Sequence, residues 1–254
     1  MLLHYQNHEN ETSHQIPLVF IHGLFGSLSN LGMLARAFIS THSVIQIDVR
    51  NHGLSEHSDI HDYTAMANDV LETLDHLNIN EFSVIGHSMG GKIAFKLTDL
   101  AKDRVKQAVI LDISPRPNTA NHHKEIFEAL FAVENAQVQS RADATNIMRE
   151  HLNEEMVIQF LLKSFQKGQW LFNVQSLYDN YSNILDWEHL ETNPLEILII
   201  RGAESDYIQS SEDYVAIEQQ FPNAKIVTVP EAGHWLHAQK TQDVLDYMTA
   251  YIKV

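Results

Sequence analysis

There is no cysteine in the 254 residues. That excludes disulfides and cysteine catalysis, and it is compatible with any compartment. Cations are scarce: 17 Lys and Arg stand against 33 Asp and Glu, a net charge of −16 with histidines neutral. So acidic a surface repels nucleic acid and anionic lipid, and neither is expected as a partner. No apolar run approaches the length of a bilayer span. The opening Met1-Leu2-Leu3-His4-Tyr5 lacks a basic segment followed by a long apolar one. No signal peptide is expected, and the cytoplasm is the default compartment. Internal repeats and low-complexity linkers are also missing, and nothing here bears on oligomeric state.

What the chain has is ordinary globular composition, 44% apolar and 20% charged. Its length suits one core with an inserted subdomain. Sixteen histidines are many, and His57 and His61 have helical metal-ligand spacing. They fall in a polar loop without a third ligand, so a solvated surface is expected there and no metal.

Apolar runs at 17–21, 44–48, 82–85, 108–113, 195–200 and 225–229 read as strands. Each is apolar nearly throughout, as in a parallel sheet covered on both faces. Residues 2–6 add an opening edge strand. Helical spacing recurs between the strands, at 29–39, at 64–78 with Thr64 as its cap, at 211–220 and at 241–251. From 116 to 190 strand signals give way to helices at 122–133, 141–152, 154–165 and 174–185, broken by an extended piece around Gly168 to Asn173. Four helices in a row are too many for one crossover. Residues 116–190 are therefore expected to form a helical cap, and residues 1–115 with 191–254 the core.

The chain is organised around Gly86-His87-Ser88-Met89-Gly90, which lies between the strand at 82–85 and a helix from Ile93. A strand that turns at once into a helix strains the turn residue, and small neighbours let the surrounding backbone approach. Ser88 is thereby held proud of the sheet at the positive end of a helix, as a nucleophile requires. Glycine-rich turns also bind phosphate, but the Gly-x-x-x-x-Gly-Lys-Ser/Thr spacing is missing. Serine needs a base, and His234 follows the last strand in a loop, between Gly233 and Trp235. The base needs a carboxylate to fix its tautomer. Asp112 ends a buried strand, and Asp206 follows the next one, so both are candidates. The first strand opens into His22-Gly23-Leu24-Phe25-Gly26. There the Leu24 N–H, with that of Met89, is placed to meet an oxyanion. Asp48 and Arg50 are expected to brace each other in a structural corner.

These motifs resemble the α/β-hydrolase family from end to end: His22-Gly23, Asp48 with Gly53 and Ser55, Gly86 to Lys92, and Gly233-His234-Trp235. Arg50-Asn51-His52-Gly53, Leu111-Asp112-Ile113-Ser114-Pro115 and Gly168-Gln169-Trp170 resemble a narrower group. It holds small bacterial esterases of the YbfF type and abhydrolase-domain-containing protein 11. The resemblance implies an α/β-hydrolase fold with a mostly parallel eight-stranded sheet, no cofactor, and a small-molecule ester or acyl thioester as substrate. Many members carry the acid three residues beyond the glycine after the penultimate strand. Counted from Gly202, that position is Ser205, with Asp206 one further on. In the narrower group the earlier aspartate serves, which implies Asp112 as the acid and Ser205 as its support.

The expected centre is thus Ser88, His234 and Asp112, with Phe25, Met89, Trp170 and Tyr207 as pocket walls. Two alternatives stand beside a serine esterase: another enzyme on the fold, such as a C–C hydrolase or cofactor-free haloperoxidase, or a binder without turnover. A haloalkane dehalogenase is excluded, because it needs a carboxylate where Ser88 stands.

Overall fold

The computed structural model describes residues 1–118 and 123–252. In chain order it begins with β1 (Tyr5–His8), β2 (Leu18–Ile21), α1 (Gly32–Phe38), β3 (Val44–Ile47), α2 (Tyr63–His76), β4 (Phe82–His87), α3 (Met89–Leu100) and β5 (Val105–Leu111). A helical stretch follows: α4 (Lys124–Ala136), α5 (Arg141–Met148), α6 (Glu155–Leu162), the hairpin β6 (Phe165–Gln166) and β7 (Gln169–Trp170), α7 (Val174–Asp179) and α8 (Tyr181–Leu185). The chain then adds β8 (Ile197–Gly202), α9 (Ser211–Gln220), β9 (Lys225–Val229), α10 (Leu236–Gln239) and α11 (Thr241–Tyr251).

The main sheet has the order β1-β3-β2-β4-β5-β8-β9, with β1 antiparallel to β3 and every other pairing parallel. Among the described residues it has seven strands where eight were expected. Between β1 and β2 run Glu9-Asn10-Glu11-Thr12-Ser13-His14-Gln15-Ile16-Pro17, a polar stretch with no apolar run to make another strand. The strand period of two divides the core between the faces. Val19 and Ile21 of β2 join α2 and α3 residues such as Val70 and Ile93, while Leu18 and Phe20 join Leu34 and Phe38 of α1 and Val244 and Met248 of α11.

Helix boundaries shift where caps decide them. Asp62, and not Thr64, caps α2, its Oδ1 accepting the Ala65 N–H. The helix expected at 154–165 is shorter, because residues from Phe165 form the hairpin. The expected start at 122 lies outside the described residues; α4 is described from Lys124. The outcome for function is positional. β2, β4, β5, β8 and β9 all deliver their following loops to one edge of the sheet, the C-terminal edge where such sheets carry their sites.

Candidate active site

Ser88 sits between β4 and α3 with φ 54° and ψ −116°, a strained conformation for a residue with a Cβ. Two close approaches make the turn. A methyl group on Gly86 would lie 2.1 Å from the Gly90 carbonyl oxygen, and one on Gly90 would lie 2.2 Å from that of Ile21. Only glycine fits either position. The serine N–H bonds the Leu111 carbonyl at 3.0 Å, which ties the turn to β5.

His234 lies in the loop between β9 and α10. Its Nε2 is 2.9 Å from Ser88 Oγ, and its Nδ1 is 2.7 Å from Asp112 Oδ2. A carboxylate only accepts, so Nδ1 carries the proton and Nε2 is left to accept from the serine hydroxyl. Asp112 is fully buried at the end of β5, with φ 55°. Its Oδ1 accepts the Gly202 N–H at 2.9 Å, and Ser205 Oγ donates to Oδ2. Asp206 is exposed, one residue beyond, and it is Asp112 that the imidazole bonds. Sequence spacing had left these two carboxylates open; the structure brings Asp112 to His234 and turns Ser205 into its hydrogen-bond donor.

Two neighbouring rings pack against His234. The Tyr207 ring stacks on it at 3.7 Å and 11°. His87 Nε2 donates to the His234 carbonyl oxygen at 2.9 Å. Behind His87 lies His237, ring to ring at 4.3 Å. Burial holds both neutral: it pushes His87 well below the usual histidine range and His237 down to about 3. Neither His87 nor His237 was singled out from the sequence. His87 is the variable position of the serine pentapeptide, and nothing local marks it as a donor.

The Leu24 loop faces the serine: a methyl group on Gly23 would come 3.3 Å from Ser88 Cβ. Met89 opens α3, so its N–H has no partner within its own helix. Around Ser88 the free space is a cavity of about 30 Å3, with Leu24, Phe25, Ile126, Val157, Phe160 and Trp235 in its wall. A second space of about 320 Å3 opens beside His234, against His123, Asp206, Tyr207 and Trp235.

Several expectations are corrected. Trp170 lines neither space; it packs between Phe165 and Phe172 and donates its Nε1–H to the Leu130 carbonyl at 3.3 Å. The Met89 side chain is buried and lines neither. Phe25 lines the smaller space and Tyr207 the larger. Asp48 and Arg50 do not pair. The Arg50 guanidinium bonds Asp69 at 2.6 and 2.9 Å, while Asp48 accepts from His4, Leu28 and Leu54. His61 is buried rather than solvated, its ring 5.8 Å from that of His52. Among the described residues no three His, Asp or Glu side chains are grouped to hold a metal, and no helix is long and apolar enough to cross a membrane.

A serine, an imidazole and a carboxylate joined in line at the C-terminal edge of a parallel sheet define the class. The chain belongs to the α/β-hydrolase family, whose model matches residues 16–142. Among its relatives, the Escherichia coli K12 protein named esterase YbfF is 46% identical over 249 residues, covering 97% of this chain and 95% of that one. The mouse protein named sn-1-specific diacylglycerol lipase ABHD11 is 35% identical, covering 92% of this chain and 80% of its own length. A solved structure described as a marine microorganism esterase superposes with a TM-score of 0.91 at 32% identity, covering 98% of both chains.

Proposed function

We propose that the chain hydrolyses carboxylic esters through an acyl-enzyme on Ser88. Esterases among its full-length relatives support the reaction class. The observation that carries the residue roles is the unbroken chain from Asp112 through His234 to Ser88 Oγ, at 2.7 and 2.9 Å. Ser88 Oγ attacks the acyl carbonyl carbon while His234 Nε2 takes the hydroxyl proton. The charge that develops on the carbonyl oxygen meets the N–H groups of Leu24 and Met89. Collapse of the tetrahedral species breaks the ester bond, and His234 returns the proton to the departing alcohol. Water then attacks the acyl carbon with His234 as base, releasing the acid and restoring Ser88. Asp112 keeps the imidazole in the Nδ1–H tautomer throughout.

The small space beside Ser88 suits a short acyl group, and the larger space beside His234 suits the alcohol. Residues 116–190 act as the cap on this reading, supplying Ile126, Val157 and Phe160 to the wall. A fluorophosphonate is expected to label the protein once, at Ser88, and to leave Ser88→Ala unlabelled; peptide mapping reads the site. Turnover of p-nitrophenyl esters should fall as the acyl chain lengthens from acetate to octanoate. Undiminished labelling of Ser88→Ala would remove the nucleophile from this scheme.

A further inference from the structure

The two oxyanion donors are not equally secured. The Met89 N–H is fixed by the helix it opens. Leu24 lies in a loop after β2, and the next residue, Phe25, stands at φ 62°, a left-handed conformation that a side chain disfavours. Such a turn persists only where its surroundings hold it. Its ring is packed by Phe127 and Phe172, each at 5.3 Å. Its carbonyl accepts from Ser164 Oγ at 3.2 Å, and its N–H goes to His52 Nε2 at 3.1 Å.

We propose that His52 is a positioning residue for the oxyanion hole, its Nε2 accepting the Phe25 N–H and so holding the turn that presents the Leu24 N–H to the substrate. The inference rests on Leu24 being an oxyanion donor, as read above. His52 is fully buried in the loop after β3 and reaches no reacting atom. Its Nδ1 lies 2.9 Å from the Arg50 carbonyl, to which it can only donate. The other nitrogen therefore carries a lone pair, which is what a backbone N–H needs. The neighbouring loop returns the arrangement. His22 Nδ1 donates to the Gly23 carbonyl at 2.8 Å, and its Nε2 accepts the Val49 N–H at 3.1 Å. The two rings lie 5.1 Å apart. Each loop thus lends a neutral histidine to the other's backbone. Burial together with His22 and His61 keeps His52 uncharged, so the acceptor is not lost to a proton.

The variants are His52→Leu, which removes the acceptor at similar volume, and His52→Gln, whose side-chain oxygen reaches about as far as Nε2. Removing one oxyanion donor outright costs about 10²- to 10³-fold, and loosening one should cost about 10- to 100-fold. With p-nitrophenyl acetate, His52→Leu is expected to lose that factor in kcat, with KM within about threefold. Affinity for a trifluoromethyl ketone, which becomes a tetrahedral oxyanion on Ser88, should fall by the same factor. His52→Gln should recover most of both. An unchanged kcat and ketone affinity in His52→Leu would overturn the proposal, as would a His52→Gln no better than His52→Leu. If the leucine variant does not fold, nitrogen-15 spectra of the unaltered protein decide: the Nδ1–H tautomer of His52 supports its bond to the Phe25 N–H, and the Nε2–H tautomer overturns it. Failure of the catalytic reading looks different, because the unaltered protein would then neither bind the ketone nor take a fluorophosphonate at Ser88.

Discussion

β5 and β8 are neighbours in the sheet, paired in parallel with Leu111 opposite Ile200, yet their ends differ. β5 stops in Asp112, buried and turned through a positive φ. β8 stops at Gly202, and the loop beyond it carries a buried Ser205 and an exposed Asp206. The first end carries the charge, and the second carries its donors: the Gly202 N–H and the Ser205 hydroxyl. A carboxylate removed from water needs its oxygens satisfied, and here the adjacent strand end satisfies them. Asp206 is exposed, and the imidazole of His234 bonds Asp112. The placement of the acid is thus a matter of which loop end the other can solvate, and counting residues from a glycine does not reveal that.

Exchanging the charge at each end tests the contrast. Asp112→Asn preserves shape but can accept less and favours the wrong tautomer of His234. A triad substitution of this kind can cost about 10⁴-fold, and a loss of at least about 10²-fold in kcat is expected here. Asp206→Asn should stay within about tenfold in the same assay. Both variants are to be compared at equal thermal stability. The reverse order would make Asp206 the working carboxylate and Asp112 an anchor between strands. Ser205→Ala sharpens the point, since it removes a donor from Asp112 without touching either carboxylate. One hydrogen bond to a charged group is worth about 1.5 kcal/mol, so a loss of about tenfold in kcat is expected. Full activity would mean that Ser205 only fills space.

How much of this was legible in the sequence follows from how local each signal is. β2, β4, β5 and β8 announce themselves as apolar runs because both their faces are covered. The turn at Ser88 is equally plain, since its strain forces glycine at 86 and 90 within a few residues. His234 and both acid candidates could be read from their position just beyond a strand. Partnerships across the fold could not. Arg50 looks as though it belongs to Asp48, two residues away, but reaches Asp69 on α2, a residue that no local signal singles out. His52 accepts from a residue 27 positions distant, and no spacing rule signals such a bond. Trp170 read as a wall because an aromatic residue in an extended piece carries no direction; the hairpin turns it towards Phe165 and Phe172. The missing eighth strand belongs to the resemblance rather than to the residues, because the polar stretch after β1 holds no strand signal.

The smallest effect is expected at another buried charge, whose surroundings do less for it than β8 does for Asp112. Lys92, one turn into α3, is 2% exposed. Its Nζ reaches two carbonyls, of Leu185 at 3.3 Å and Asp186 at 3.2 Å, and lies over the rings of Tyr63 and Trp187 at 5.4 and 5.8 Å. No carboxylate oxygen is among those contacts, and burial pulls the ammonium down to about 7, with Asp186 opposing weakly. The sign follows from proton counting. Between pH 7 and the ordinary lysine range the unfolded chain binds a proton that the folded one does not, so stability rises with pH there. Below about pH 7 both states are charged, and the fold bears the full cost of burying the ammonium. Lys92→Met lacks that cost at every pH. Its advantage in Tm over the unaltered protein should therefore be greatest near pH 6 and shrink towards pH 9. Two pH units of this linkage amount to about 2.7 kcal/mol, or about 5 to 10 °C for a chain of this size. Turnover should stay within about twofold, since Lys92 touches neither Ser88 nor His234. A Tm difference that is the same at pH 6 and pH 9 would show that Lys92 keeps its proton, and that two carbonyls and two aromatic faces serve a buried cation as well as the end of β8 serves Asp112.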